Sequence, residues 1–203
     1  APQLVEQFLR LYHTHRVALE KMMRLGQERL PDDLLAASPE AGIHDFFRDT
    51  FNHFDALGRA AEAIRTTDPC DPDDIYVVLK ARLKRVHGIS VRIDSVDSMS
   101  DGLRYYDKAK AVVHLSEALD FPNRAFQLAH VLCLVECSDV LDKLTSTIGV
   151  NLGAAIARCH VELANYFAAA FLMPYEPFLA AAERTRYDVD RLAAAFAVSF
   201  EQV

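Results

Sequence analysis

Apolar positions near the start of the chain recur at alternating steps of four and three: Leu4, Phe8, Leu11, Ala18, Met22 and Leu25, with His15 in the same row. That heptad seam predicts a long helix over residues 2–29. It either packs on its own domain or acts as a linker helix that pairs two protomers. Leu30-Pro31-Asp32-Asp33 ends it, and Ser38-Pro39-Glu40 opens a second helix expected to run to about Arg65, with Phe46, Phe47, Phe51, Phe54 and Leu57 turned to a core. Thr66 to Asp74, rich in Asp and Pro, reads as a hinge. After it an amphipathic helix over 75–87 carries Lys80, Arg82, Lys84 and Arg85 on its polar side, read as solvated, and stops at Gly88.

The period then changes. Residues 90–94, 102–107 and 111–115 alternate apolar and polar positions and are separated by short turns, which predicts three strands of one small sheet. Two long apolar helices follow, over 122–137 and 153–172, with a short helical or turn segment at 140–148 between them. Pro174 stops the second, and short amphipathic helices are expected at 176–182 and 189–196. The fold class is α+β, mainly α: a helical region over 1–68, then a unit over 75–203 built around a small three-stranded sheet.

Composition narrows the function. With 203 residues and 51 % of them apolar, the chain can bury a sizeable core. No run approaches the roughly 18 apolar residues of a membrane span. A net charge of −7 disfavours nonspecific binding to nucleic acid or anionic lipid, because neutralising phosphates needs a basic surface. The start at Ala1-Pro2 resembles neither a signal peptide nor an initiator Met, which suggests a fragment of a longer protein whose DNA contacts, if any, belong elsewhere. Four cysteines in a core-rich chain fit a reducing compartment, the cytoplasm.

The two apolar helices carry the unusual chemistry. His130, Cys133 and Cys137 fall in one row of the first, and Cys159, Glu162 and Tyr166 share a face of the second. The order of helix, small sheet and His130 helix, followed by Glu162-Leu163-Ala164-Asn165-Tyr166-Phe167-Ala168 and Phe171-Leu172-Met173-Pro174, resembles the ImmA/IrrE-type metallopeptidase-like domain over residues 75–203. In that family the first helix carries His-Glu-x-x-His, whose two His residues and a third carboxylate hold zinc while the Glu acts as base. Here His130 matches the first His, but Val131 stands at the base position and Leu134 at the second ligand position. The resemblance therefore implies a chain that is not a peptidase. Together with Asp45-Phe46-Phe47 and Asn52-His53-Phe54-Asp55, the chain resembles more narrowly the central sensor domain of the actinobacterial short-chain fatty-acyl-CoA transcriptional regulators. That resemblance implies a short-chain acyl-CoA effector (propionyl-CoA or a relative), DNA binding only through a helix-turn-helix domain outside this segment, and a homodimer.

A CoA site needs cations or amides for phosphates, a flat surface for adenine and an apolar slot for the acyl chain. The candidates are Arg104, Tyr105, Tyr106, Lys108 and Lys110 on the strands, and Tyr166, Tyr175 and Phe178 near the second helix; Phe167 and Phe171 read as core. For a metal, Cys133, Cys137, Cys159, Cys70 and His130 form a soft donor set that suits a structural zinc or a [4Fe-4S] cluster, although no CxxC pair is present. Two other function classes remain open: a hydrolase with an unorthodox site of His130, Cys133 and Glu162, and a purely structural dimerisation domain acting through residues 2–29.

Overall fold

The computed structural model describes residues 39–99, 102–146 and 153–203. Two compact units emerge from its backbone contacts, Ala1–Phe51 and Asn52–Val203. The heptad seam over 2–29 lies outside the described residues. In the first unit, helix α1 (Pro39–Asp49) begins on a proline, whose fixed φ suits a first turn. The helix expected to continue to about Arg65 stops at Asp49 instead. Phe51 and Asn52 take left-handed φ values of 53° and 52°, which a right-handed helix cannot pass through. Phe51, expected in the apolar row, is 91 % exposed.

The second unit opens with α2 (Asp55–Thr67), which buries Leu57, Ala61 and Ile64 at helical spacing. A 3₁₀ turn at Pro72–Asp74 leads into α3 (Ile75–His87), which buries Ile75, Leu79 and Leu83. Gly88 ends α3 at φ 69°; its N–H bonds the Lys84 carbonyl, and the Ile89 N–H bonds that of Leu83. The polar side of α3 is not a solvated face throughout. Arg82 and Arg85 both bond Asp68 at the end of α2, and Arg82 also bonds Glu136.

The three predicted strands form one mixed sheet, β1 (Ser90–Asp94), β2 (Arg104–Asp107) and β3 (Val112–Ser116), in the order β1-β3-β2. β3 runs parallel to β1 and antiparallel to β2, so the last strand in sequence is central, and its Val113 and Leu115 are fully buried. In the antiparallel pair Arg104 lies opposite Leu115 and Tyr106 opposite Val113, on the core face; Tyr105 lies opposite His114, on the outer face.

The rest is helical: α4 (Phe121–Glu136), α5 (Ser138–Thr145), α6 (Gly153–Leu172), α7 (Tyr175–Thr185) and α8 (Val189–Phe196). Asp120 caps α4 by accepting from the Asn123 N–H at 3.0 Å, and Pro122 sits in its first turn. α4 and α6 pack along each other, α2 lies on α6, and α3 lies on α4 and β1. Buried alanines one turn apart, Ala125 and Ala129 on α4 and Ala164 and Ala168 on α6, allow the close approach of backbones. Phe167 and Phe171 are core, as read, and stack with ring centroids 6.0 Å apart.

Candidate functional site

The site is built between α4 and α6, with Arg104 of the edge strand β2 near enough for its charge to act on His130. α4 buries most of one side, Ala125, Leu128, Ala129, Val131, Leu132 and Cys133, and places a single ionisable imidazole, His130, among them at 3 % exposure. α6 supplies its partner. His130 Nδ1 lies 2.9 Å from Asn165 Oδ1, and Asn165 Nδ2 donates to Glu162 Oε2 at 3.4 Å. Arg158, one turn earlier, donates to the other Glu162 oxygen at 3.1 Å.

This chain of bonds fixes the tautomer. A carboxylate only accepts, so the Asn165 amide nitrogen must face Glu162 and its oxygen must face His130. His130 then carries its hydrogen on Nδ1 and leaves Nε2 as a bare acceptor. Nε2 is buried and has no hydrogen-bond partner. Burial first, and the nearby Arg104 charge second, push the His130 pKa down to about 4, against the opposing pull of the Asn165 bond. The imidazole is therefore neutral at physiological pH.

Arg104 enters from β2, whose register turns it to the core face. It is half-buried, its Nη1 is closed to solvent without a partner, and burial lowers its pKa. No carboxylate among the described residues forms an ion pair with it. A buried polar atom left unbonded costs about 1–3 kcal/mol, more for a charged group. Here two such atoms belong to groups close enough for one to shift the other's protonation.

The other sequence candidates separate. Tyr106 shares the core face with Arg104, but Tyr105 lies on the outer face, 60 % exposed and 5.9 Å from the His114 ring. Lys108 is exposed in the β2–β3 turn, where Lys110 pairs with Asp107 at 3.1 Å. Tyr166 packs edge-on to Phe54 at 5.1 Å and Phe178 packs on Phe196 at 5.3 Å, while Tyr175 is 72 % exposed. The five strand residues thus do not form one cluster, and the three aromatics each have a different environment. Asn165 is the residue that sequence reasoning passed over; its spacing of three from Glu162 within the Ala-Asn-Tyr-Phe string was the available signal.

The soft donors do not assemble either. Among the described residues no three His, Cys, Asp or Glu side chains converge on a point that could hold a metal ion. Cys133 and Cys137 are buried, and the neighbouring Cys137 thiol together with burial pushes the Cys133 thiol up. Cys159 is buried in α6, its pKa pushed up to about 11 by burial and by Glu162. Cys70 lies in the connection between α2 and α3, in an open hollow lined by Pro69, Asp71, Asp74, Val77 and Val78. At the two positions that the peptidase resemblance sets against the base and the second ligand, Val131 is buried at 2 % exposure and Leu134 is 38 % exposed. Neither side chain has a donor atom, so the residues present do not fit a zinc ion at this place.

Comparison with known proteins places these features in context. The chain is 30 % identical over its whole length to the HTH-type transcriptional regulator RamB of Mycobacterium tuberculosis, covering 43 % of that protein. It is 31 % identical to the propionyl-CoA carboxylase regulator of Cereibacter sphaeroides, over all of this chain and 42 % of the relative. With the HTH-type transcriptional regulator PrpR of M. tuberculosis it shares 37 % identity over 81 % of this chain and 34 % of that one. The chain thus spans less than half the length of these curated relatives. A solved M. tuberculosis transcriptional regulator superposes with a TM-score of 0.76 at 36 % identity, over 81 % of this chain and 50 % of the other. The model of the IrrE N-terminal-like domain (Peptidase_M78) matches residues 84–203, from the end of α3 through the sheet, both site helices and the C-terminal pair, and the chain belongs to that family.

Proposed function

We propose that this chain is the effector-sensing domain of a propionate-linked transcriptional regulator, binding short-chain acyl-CoA, propionyl-CoA or a near relative, without turning it over. The observation that supports this reading is a polar site kept inside an apolar frame that lacks hydrolytic groups. His130 is buried and oriented by Asn165, whereas Val131 cannot take a proton and Leu134 cannot hold a metal. Apolar surroundings with a few oriented polar groups suit the recognition of a small molecule. The names of the relatives point the same way, since they are transcriptional regulators and one is named for propionyl-CoA carboxylase.

DNA contact belongs, on this reading, to a helix-turn-helix part beyond the aligned segment, in a cytoplasmic protein. The acidic balance of −7 makes the segment itself a poor phosphate binder. Residues 2–29 would pair two protomers. Among the described residues no helix is long and apolar enough to cross a membrane.

Thermal unfolding with propionyl-CoA, acetyl-CoA, butyryl-CoA and free CoA tests the reading. At one hundred times Kd a ligand adds about 2.7 kcal/mol, which raises Tm by roughly 5–10 °C in a domain of this size. An unchanged Tm with every ester, together with no heat in a calorimetric titration, would overturn it. Metal-dependent release of CoA thiol would instead favour the hydrolase.

A further inference from the structure

Arg104 and His130 present a pair of unmet demands. Arg104 carries a permanent charge into the core without a carboxylate among the described residues, and its Nη1 neither bonds nor reaches solvent. His130 is more than nine-tenths buried, and its Nε2 is likewise unbonded, while its Nδ1 is committed to Asn165. Folded proteins ordinarily keep buried charges paired because an isolated one is costly to desolvate. The group that answers both atoms must be anionic toward the guanidinium and must share a hydrogen with the imidazole. A carboxyl group does so. One oxygen accepts from Arg104, and a single proton is shared between the other oxygen and Nε2. A neutral thioester carbonyl answers Arg104 only weakly and offers His130 nothing.

We infer that Arg104 and His130 together hold a carboxyl group of the effector. The inference rests on the reading above only in taking this site as the effector site. The carboxylate has two sources, a free short-chain acid or the distal carboxylate of a dicarboxylic acyl thioester. The charged group acting on His130 is Arg104 from β2; α6 turns the neutral Asn165 toward it with Glu162 and Arg158 behind, and Cys133 lies one turn on in α4. Since Nε2 begins bare, entry of a carboxylate brings one proton into the site.

Calorimetry at neutral pH on the full chain compares malonyl-CoA with propionyl-CoA, which differ by a carboxylate in place of a methyl, and propionate with its neutral isostere propionamide. The carboxylate member of one pair is expected to bind about tenfold tighter or better, the value of one charge-assisted hydrogen bond. Arg104→Met should bring that pair to within roughly threefold by weakening the carboxylate member alone, since the neutral member gains no charge-assisted bond. Titrations of the wild-type chain in two buffers of different ionisation enthalpy should show uptake of about one proton with the carboxylate member; this measurement does not depend on the variant folding. Equal affinity within both pairs, or an equal loss for both members in folded Arg104→Met, would overturn the inference. Propionyl-CoA binding as tightly as malonyl-CoA, with no preference for propionate, would leave the acyl-CoA reading standing and remove this one. Propionate preferred over propionamide with no CoA ester bound would do the reverse.

Discussion

Arg82 and Glu136 meet through two parallel N–H···O bonds, Nε to Oε1 at 2.7 Å and Nη2 to Oε2 at 2.8 Å, which fasten α3 to the last turn of the His130 helix. Both side chains are nearly buried, at 12 % and 13 % exposure, and the remaining valences are met: Arg82 Nη1 bonds Asp68 at 2.6 Å and His87 Nε2 bonds Glu136 at 2.8 Å. Truncating one member strands the other. Arg82→Met is therefore expected to cost about 3 kcal/mol, whereas pairing it with Glu136→Leu should recover most of that loss, because a buried ion pair is often matched by an apolar one. Urea unfolding of the two single variants and the double variant measures the coupling. Simple additivity would show that the pair contributes nothing as a pair.

Acid should weaken the fold in two separable stages. His130 has its folded pKa pushed down to about 4 from an ordinary 6.5, mainly by burial, so the unfolded chain binds the extra proton first. Its contribution is complete above 6.5 and is lost as pH falls from there through 4, a total of about 3 kcal/mol. Burial pushes the Glu136 carboxyl up, but bonds from Arg82 and His87 outweigh it and hold its pKa below the ordinary 4.5; that contribution is present above 4.5 and fades only at lower pH. Unfolding free energies near pH 7.5 and pH 5 should thus differ in the wild type and differ much less in His130→Gln. An equal pH slope in both proteins would place the titrating group elsewhere.

Thiol chemistry should separate Cys70 from the other three cysteines. Cys70 is half-exposed in the α2–α3 connection, while Cys133, Cys137 and Cys159 are at most 3 % exposed. A disulfide reagent attacks only an accessible thiolate. In the native chain a single fast-reacting thiol is expected, removed by Cys70→Ser, with the other three reacting on the timescale of unfolding. Fast modification of two or more thiols in Cys70→Ser would mean that the α4–α6 interface opens readily.

Much of this was legible in the chain. The period-two stretches became the three strands and the apolar runs became α4 and α6, because both signals depend only on which face is buried. The break at Phe51 and Asn52 was not legible: an unbroken apolar row said helix, and a left-handed pair without glycine leaves only Asn52 as a weak mark. The site was half legible. His130 stood out as one imidazole on an apolar face, but the candidate strand residues were grouped by proximity in sequence. The sheet register divides them, with Arg104 and Tyr106 on one face and Tyr105 on the other. Arg82 looked solvated because its partners, Asp68 and Glu136, lie 14 and 54 residues away. The thiols looked like a ligand set because helical spacing aligns residues on one helix without saying what stands opposite them.

The bond between His130 and Asn165 yields the sharpest test of the site. Asn165 holds Nδ1 as a neutral acceptor, and the imidazole stays uncharged because burial and Arg104 outweigh that bond. Asn165→Asp keeps the shape and substitutes a carboxylate 2.9 Å from Nδ1. A carboxylate at that distance favours imidazolium by one or more pKa units, about 1.4 kcal/mol for each. Glu162, an acceptor only, would lose its donor and face a like charge, so the new carboxylate should turn its negative end to the ring. The His130 resonances followed by NMR through a pH titration should therefore move from a midpoint of about 4 toward the ordinary 6.5. Asn165→Leu, which removes the acceptor without adding charge, should instead lower the midpoint further and cost about 1–3 kcal/mol through the stranded Nδ1–H. If both substitutions leave the midpoint where it is, Asn165 does not set the state of His130.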